Sequence, residues 1–146
     1  MSANPAGWLD TNVIVRYLVA DDAALADKAT AIIEHSDRLL VNAAVLAECS
    51  YVLTSVYGQT RTAVIDALGE FIRRKNITVA GIEKTFALDA LQRCRSSGRV
   101  SIVDALLWAE ARSSASKTIY TFDGRFPREG VNLAGLNRIC VSPAGS

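Results

Sequence analysis

Short apolar runs alternate along the chain with longer stretches in which apolar residues recur every three or four positions, a pattern that predicts strands alternating with helices. The runs at 8–10, 39–41, 77–80, 118–122 and 138–141 read as strands, and the first, second and fourth of them have the apolar content of strands buried on both faces. Helical spacing fills 13–20, 23–36, 43–57, 62–74, 83–96 and 102–114, and Gly58, Gly98 and Gly124 punctuate element ends. No linker, repeat or low-complexity segment interrupts residues 8–141, while 1–7 and 142–146 read as loose termini. The alternation predicts one α/β domain, a short parallel sheet flanked by helices on both sides.

Composition adds bounds to this picture. A chain of 146 residues, half of them hydrophobic, is large enough for one domain with a real core. No apolar run reaches the ~20 residues of a membrane span, and residues 1–7 lack the charged start and apolar stretch of a signal peptide, so a cytoplasmic protein with no membrane partner is expected. Cys49, Cys94 and Cys140 are odd in number and widely spaced, which points to buried thiols and away from a disulfide framework or a zinc cluster. The net charge of +1 divides unevenly: residues 1–60 hold three basic and seven acidic side chains, a balance of −4, and 61–146 hold thirteen and eight, a balance of +5. Arg73-Arg74-Lys75, the trio Arg93, Arg95 and Arg99, and the pair Arg125 and Arg128 are suited either to a phosphate backbone or to solvated helix ends.

Four isolated acids carry the candidate chemistry. Asp10 ends the first apolar run, Glu48 interrupts the apolar face of its helix between Val45 and Val52, Asp104 shares a face with Leu107 and Trp108, and Asp123 follows TIYTF directly. Ligands of parallel sheets sit beyond the carboxyl ends of the strands, where Asp10 and Asp123 fall, and Asp104 reaches that edge from the first turn of its helix. Acids on core-facing positions require a counter-ion, since two unit charges ~4 Å apart repel by ~4 kcal/mol at an effective dielectric near 20. An oxygen-only donor set without His or Cys suits Mg²⁺ or Mn²⁺, which would activate water against a phosphodiester. Thr11, Asn12 and Thr121 add hydroxyl and amide groups able to orient a carboxylate. Each acid also has a plain structural explanation: a strand exit for Asp10, a capping box with Ser101 for Asp104, an Asp-Gly turn for Asp123. Glu48 has no such local partner, and the single histidine, His35, reads as a surface residue.

The segments LDTNVIVRYLV, AECSYVL, SIVDALLWAEA and TIYTFDGRF, in that order, resemble the PIN-domain ribonucleases, and the compact length resembles the VapC-type toxins of toxin–antitoxin pairs. The resemblance spans about residues 8–141. It implies a Mg²⁺- or Mn²⁺-dependent endoribonuclease with Asp10, Glu48, Asp104 and Asp123 as metal-binding catalytic acids and Asn12 and Thr121 in support. It also implies an RNA substrate, a homodimer, and a cognate antitoxin whose C-terminal segment covers the site. One position departs from the pattern: Arg125 stands where family members often carry a further acid. Two rival readings are an aspartyl phosphotransfer or phosphatase domain using Asp10, Thr121 and Lys117, and a PIN-like binding module without catalysis. Tyr17, Val45, Tyr51 and Val52 are expected to line a groove for the antitoxin segment.

Overall fold

In a computed structural model, which describes residues 6–135, six helices alternate with short strands. Strand β1 (Gly7–Trp8) leads into α1 (Thr11–Val19) and α2 (Ala23–His35); β2 (Leu39–Val41) is followed by α3 (Ala43–Ser55) and α4 (Arg61–Ile72). Next come β3 (Ile77–Val79), α5 (Lys84–Ser96), α6 (Ile102–Ser113), β4 (Thr118–Tyr120) and β5 (Asn132–Ala134). Among the described residues, every strand pair is parallel, which demands a crossover between partners; helices supply it from β1 to β2 and from β2 to β3, and the irregular segment 121–131 supplies it from β4 to β5. β2 lies between β1 and β3, with Leu39 opposite Ile77 and Val41 opposite Val79, while β4 pairs with β5 as a separate unit. The expected single sheet is therefore hydrogen-bonded in two parts: β1 has only two residues, and its backbone is engaged with β2 through Gly7 N–H to Arg38 and Leu9 N–H to Leu40.

The helix starts follow local chemistry. Asp22, Asn42, Thr60 and Ser101 each sit in extended backbone and accept, through a side-chain oxygen, the N–H three residues on. For α5, Glu83 makes no side-chain cap; its own N–H donates to Ser113 Oγ of α6 at 2.9 Å. α1 packs on α2 and α3, α4 on α5, and α6 on both α5 and α3. Their inner faces bury Trp108, Phe71, Ile14, Leu46, Leu53 and Leu68 around Val41 and Ile77. Asn76 Nδ2 ties the end of α2 to the start of β3 by donating to the carbonyls of Ile33 and Ser36.

β5 was not expected from the pattern: Asn132-Leu133-Ala134 carries one strongly apolar residue, and its extended form comes from pairing with β4. The strand expected at 138–141, Cys140 and the outer limits of the termini lie outside the described residues. Cys49 and Cys94 are buried free thiols, as expected. No helix among the described residues is long and apolar enough to cross a membrane.

Candidate functional site

β1 delivers the chain to Asp10, whose extended backbone (φ −88°, ψ 158°) makes it the N-cap of α1. Its Oδ1 accepts the Thr11 N–H at 2.7 Å, so the carboxylate is held beside the positive end of the helix. Thr11 is the one buried polar side chain among the described residues. Its hydroxyl donates to Glu48 Oε2 at 2.8 Å, which bridges α1 to α3 and fixes the second carboxylate. Asp10 and Glu48 thus line one pocket of about 330 Å³ with Asn12, Arg16, Val52 and Tyr57.

Cys49 lies buried beside this pair and registers both charges. Burial, then the negative charges of Glu48 and Asp10, push its thiol up to about 12, so it stays protonated and takes no part as a nucleophile near neutral pH. Asp10 and Glu48 are themselves exposed, and Asp104 and Asp123 are half-buried. The expectation of core-facing acids is corrected here: each stands at an element's end or on a flank open to the pocket, where water solvates the charge.

Asp104 occupies the first turn of α6, outside the lining of the Asp10–Glu48 pocket. Its N–H donates to Ser101 Oγ at 3.1 Å, one half of the capping box, and its charge bears on Cys94, whose thiol is raised chiefly by burial. Arg61 sets this corner by donating to the carbonyls of Cys94 in the last turn of α5 and of Ser97 and Val100 in the α5–α6 connection. Asp123 is held in an Asp-Gly turn: its Oδ1 accepts the Arg125 N–H at 2.9 Å and faces Arg125 Nε at 3.5 Å. Thr121 supports that turn, its Oγ1 accepting the Asp123 N–H at 3.0 Å. The structure therefore brings Asp10 and Glu48 into one pocket, whose lining does not include Asp104 or Asp123. Among the described residues, no group of three or more His, Cys, Asp or Glu is arranged to hold a metal ion. The donor set of the Asp10–Glu48 pocket, two carboxylates with the Asn12 amide and no nitrogen or sulfur ligand, nonetheless matches a hard divalent cation.

Several basic residues of the second half are engaged internally. Arg93 pairs with Glu129 at 2.7 Å, Arg95 with Asp66 at 2.9 Å and Arg112 with Asp89 at 2.7 Å, because α5 and α6 face acids on neighbouring elements. The expected four-residue groove does not form either. Tyr17 tilts against Phe71, ring centroids 6.4 Å apart, and accepts from Arg74 Nη1 at 3.4 Å. Tyr51 borders a different cavity beside Cys94 and Val103, and Val52 borders the acid pocket. A groove that sequence reasoning missed runs between α1 and α2, lined by Val13, Leu25, Lys28 and Ile32 and sharing Asn12 and Arg16 with the acid pocket. Leu25 and Ile32, seven residues apart on α2 and both more than 40 % exposed, were its legible signal.

The family model described as PIN domain matches residues 8–131 of the chain. No curated protein and no solved structure matches it.

Proposed function

This chain belongs to the PIN-domain family, and on that premise we propose that it is a Mg²⁺- or Mn²⁺-dependent endoribonuclease, the toxin of a toxin–antitoxin pair. PIN domains are generally nucleases that use divalent metals, which makes hydrolysis of a phosphodiester the reaction to be explained. The observation that carries the reading is the Asp10–Thr11–Glu48 arrangement, in which adjacent residues on α1 cap the helix with one carboxylate and anchor the other. In this proposal Asp10 and Glu48 would hold the cation, with Asp104 and Asp123 completing the acid set and Asn12 and Thr121 supporting it. A cation held there would neutralise charge building on the phosphate during attack.

The chain's own residues then have distinct tasks. Thr11 keeps Glu48 pointed into the pocket at 2.8 Å, so its carboxylate is available to accept a proton from the attacking water. Asp10 cannot swing away without giving up its helix cap. Arg16, half-buried and paired with Asp21 at 2.9 Å, places a fixed cation at the rim, suited to orient a phosphate. The α1–α2 groove, apolar with Arg16 and Lys28 at its edge and opening onto the acids, is the place we assign to a C-terminal antitoxin segment. A homodimer in the cytoplasm completes the proposal.

The contact of Asp123 with Arg125 favours a second reading, a PIN module that binds RNA without cutting it. The two separate on one experiment, incubation of single-stranded RNA with the protein and Mn²⁺ in ¹⁸O-water. We expect shortened products carrying ¹⁸O on a terminal phosphate and no 2′,3′-cyclic phosphate. Bound but intact RNA would establish the inactive module, and cyclic ends would mean attack by the RNA's own 2′-hydroxyl.

A further inference from the structure

Asp21 is not part of the lining of the acid pocket, yet it holds two residues that are, Arg16 and Tyr57. Arg16 Nη1 donates to its Oδ1 at 2.9 Å and the Tyr57 hydroxyl donates to its Oδ2 at 3.0 Å, so one carboxylate joins the last turn of α1 to the chain just past α3. Desolvation raises the Asp21 carboxyl, but the bonds from Tyr57 and Arg16 outweigh it and bring the group below the ordinary carboxylate range. The clamp is therefore ionic at neutral pH.

Backbone fixes each end of this clamp. Ala20, the C-cap of α1, is the one non-glycine residue with positive φ among the described residues (φ 55°, ψ 35°), and its N–H donates to the Arg16 carbonyl oxygen at 3.1 Å. An L residue holds this conformation against steric strain, and the turn that requires it brings Asp21 back to Arg16. Tyr57 is tied by its own N–H to the Val52 carbonyl oxygen, and Gly58 (φ +65°) turns the chain away behind it. The ion pair itself adds little stability, since its side chains are 34 and 39 % exposed. Its effect is geometric. A guanidinium carries five N–H donors, so the Asp21 contact leaves donors for a phosphate while it orders a side chain whose freedom would otherwise be lost on binding.

We propose that Asp21 is a positioning residue for the substrate: it holds Arg16 and Tyr57 in place along the pocket that Asp10 and Glu48 line, so that a phosphate of the RNA meets a guanidinium already oriented. The inference rests on the ribonuclease reading and deepens it by assigning Asp21 a role exercised through Arg16. Charge and position predict opposite signs for its removal. An acid near a phosphate repels it, so by charge alone any neutral residue at position 21 tightens RNA binding. By position, losing the clamp weakens it.

The test is RNA binding without cleavage, by fluorescence anisotropy of the full chain with a labelled 12-nucleotide single strand in excess EDTA. Asp21→Asn keeps an oxygen for Arg16 and an amide for the Tyr57 hydroxyl, and should bind as tightly as the wild type or more tightly. Asp21→Ala should bind about threefold to tenfold more weakly in spite of the charge it removes. Arg16→Gln should reduce the salt slope by about 0.7, and in that background Asp21→Ala should weaken binding no further. Tyr57→Phe keeps the ring and drops one bond; it is the milder variant should Asp21→Ala not fold, with a loss of about twofold expected. Absence of wild-type affinity, tighter binding in Asp21→Ala, or an equal loss with and without Arg16 would overturn the proposal. So would a lower thermal midpoint with RNA affinity unchanged, since the clamp would then only tie helices together. Because no bond is cut in this assay, a chain that binds RNA through Arg16 and Asp21 yet never cleaves it contradicts only the nuclease reading. One that cleaves RNA with Asp21 dispensable contradicts only this inference.

Discussion

Replacing Asp10 by Asn, or Glu48 by Gln, is expected to lower RNA cleavage by at least about a hundredfold while the fold survives. Both replacements keep shape and remove charge. Asn is as good an N-cap as Asp, so its side-chain oxygen still accepts the Thr11 N–H that Asp10 accepts at 2.7 Å. In the Glu48→Gln variant the amide oxygen would still accept the Thr11 hydroxyl now bonded to Glu48 Oε2. Both acids are exposed, which removes any penalty from an unpaired buried group. What disappears in each variant is one of the two negative charges that a cation needs and, in Glu48→Gln, the base that takes a proton. Single-turnover cleavage and thermal midpoint, measured on the same preparations, separate the two effects. Full cleavage in both variants would remove the Asp10–Glu48 pocket from the chemistry.

Trp108→Ala carries the largest expected cost to stability, about 3–5 kcal/mol. Trp108 is 2 % exposed and among the largest buried side chains. Arg112 lies 4.6 Å and Arg93 5.3 Å from its ring, and Arg112 also stacks on Phe86 at 4.2 Å. Its Nε1 donates to the Glu129 carbonyl oxygen at 2.8 Å, joining α6 to the loop that descends from Asp123. Truncation opens a cavity, strips two guanidinium groups of an aromatic partner and orphans a carbonyl. Urea unfolding is the measurement, with Trp108→Phe as the comparison that keeps most of the volume and loses the indole N–H. A loss below about 1.5 kcal/mol for Trp108→Ala would mean that the site collapses around the gap and that the cluster is not a keystone of the fold.

The helices were legible because each combines an apolar stripe with a local start signal, as in Asp22 before Ala23 and Ser101 before Ile102. β5 was not, since three residues with one strong hydrophobe become a strand only when β4 is there to pair with. Of the site, the residue types and their order were readable, but the contact from Thr11 to Glu48 spans 37 positions and depends on α1 packing against α3. Exposure was the main misreading. Helical spacing put Glu48 between Val45 and Val52, yet both valines are only half-buried and that face of α3 opens onto the pocket. Tyr17 shows the same limit, for the rotation of α1 that sends it to Phe71 and Arg74 is decided by the neighbouring helix. Arg125 was visible as an oddity, whereas its contact with Asp123 required the turn to be seen.

The most direct measurement is the rate of single-stranded RNA cleavage as Mn²⁺ is added back to protein first held in excess chelator, run in parallel on the wild-type chain and the Asp10→Asn, Glu48→Gln double variant. The wild type should be silent in chelator and rise to a plateau as Mn²⁺ saturates the pocket, with the double variant flat throughout and equally folded. Wild-type cleavage at an undiminished rate in chelator, or a double variant that follows the same saturation curve, would contradict the assignment of metal-dependent hydrolysis to this pair of acids.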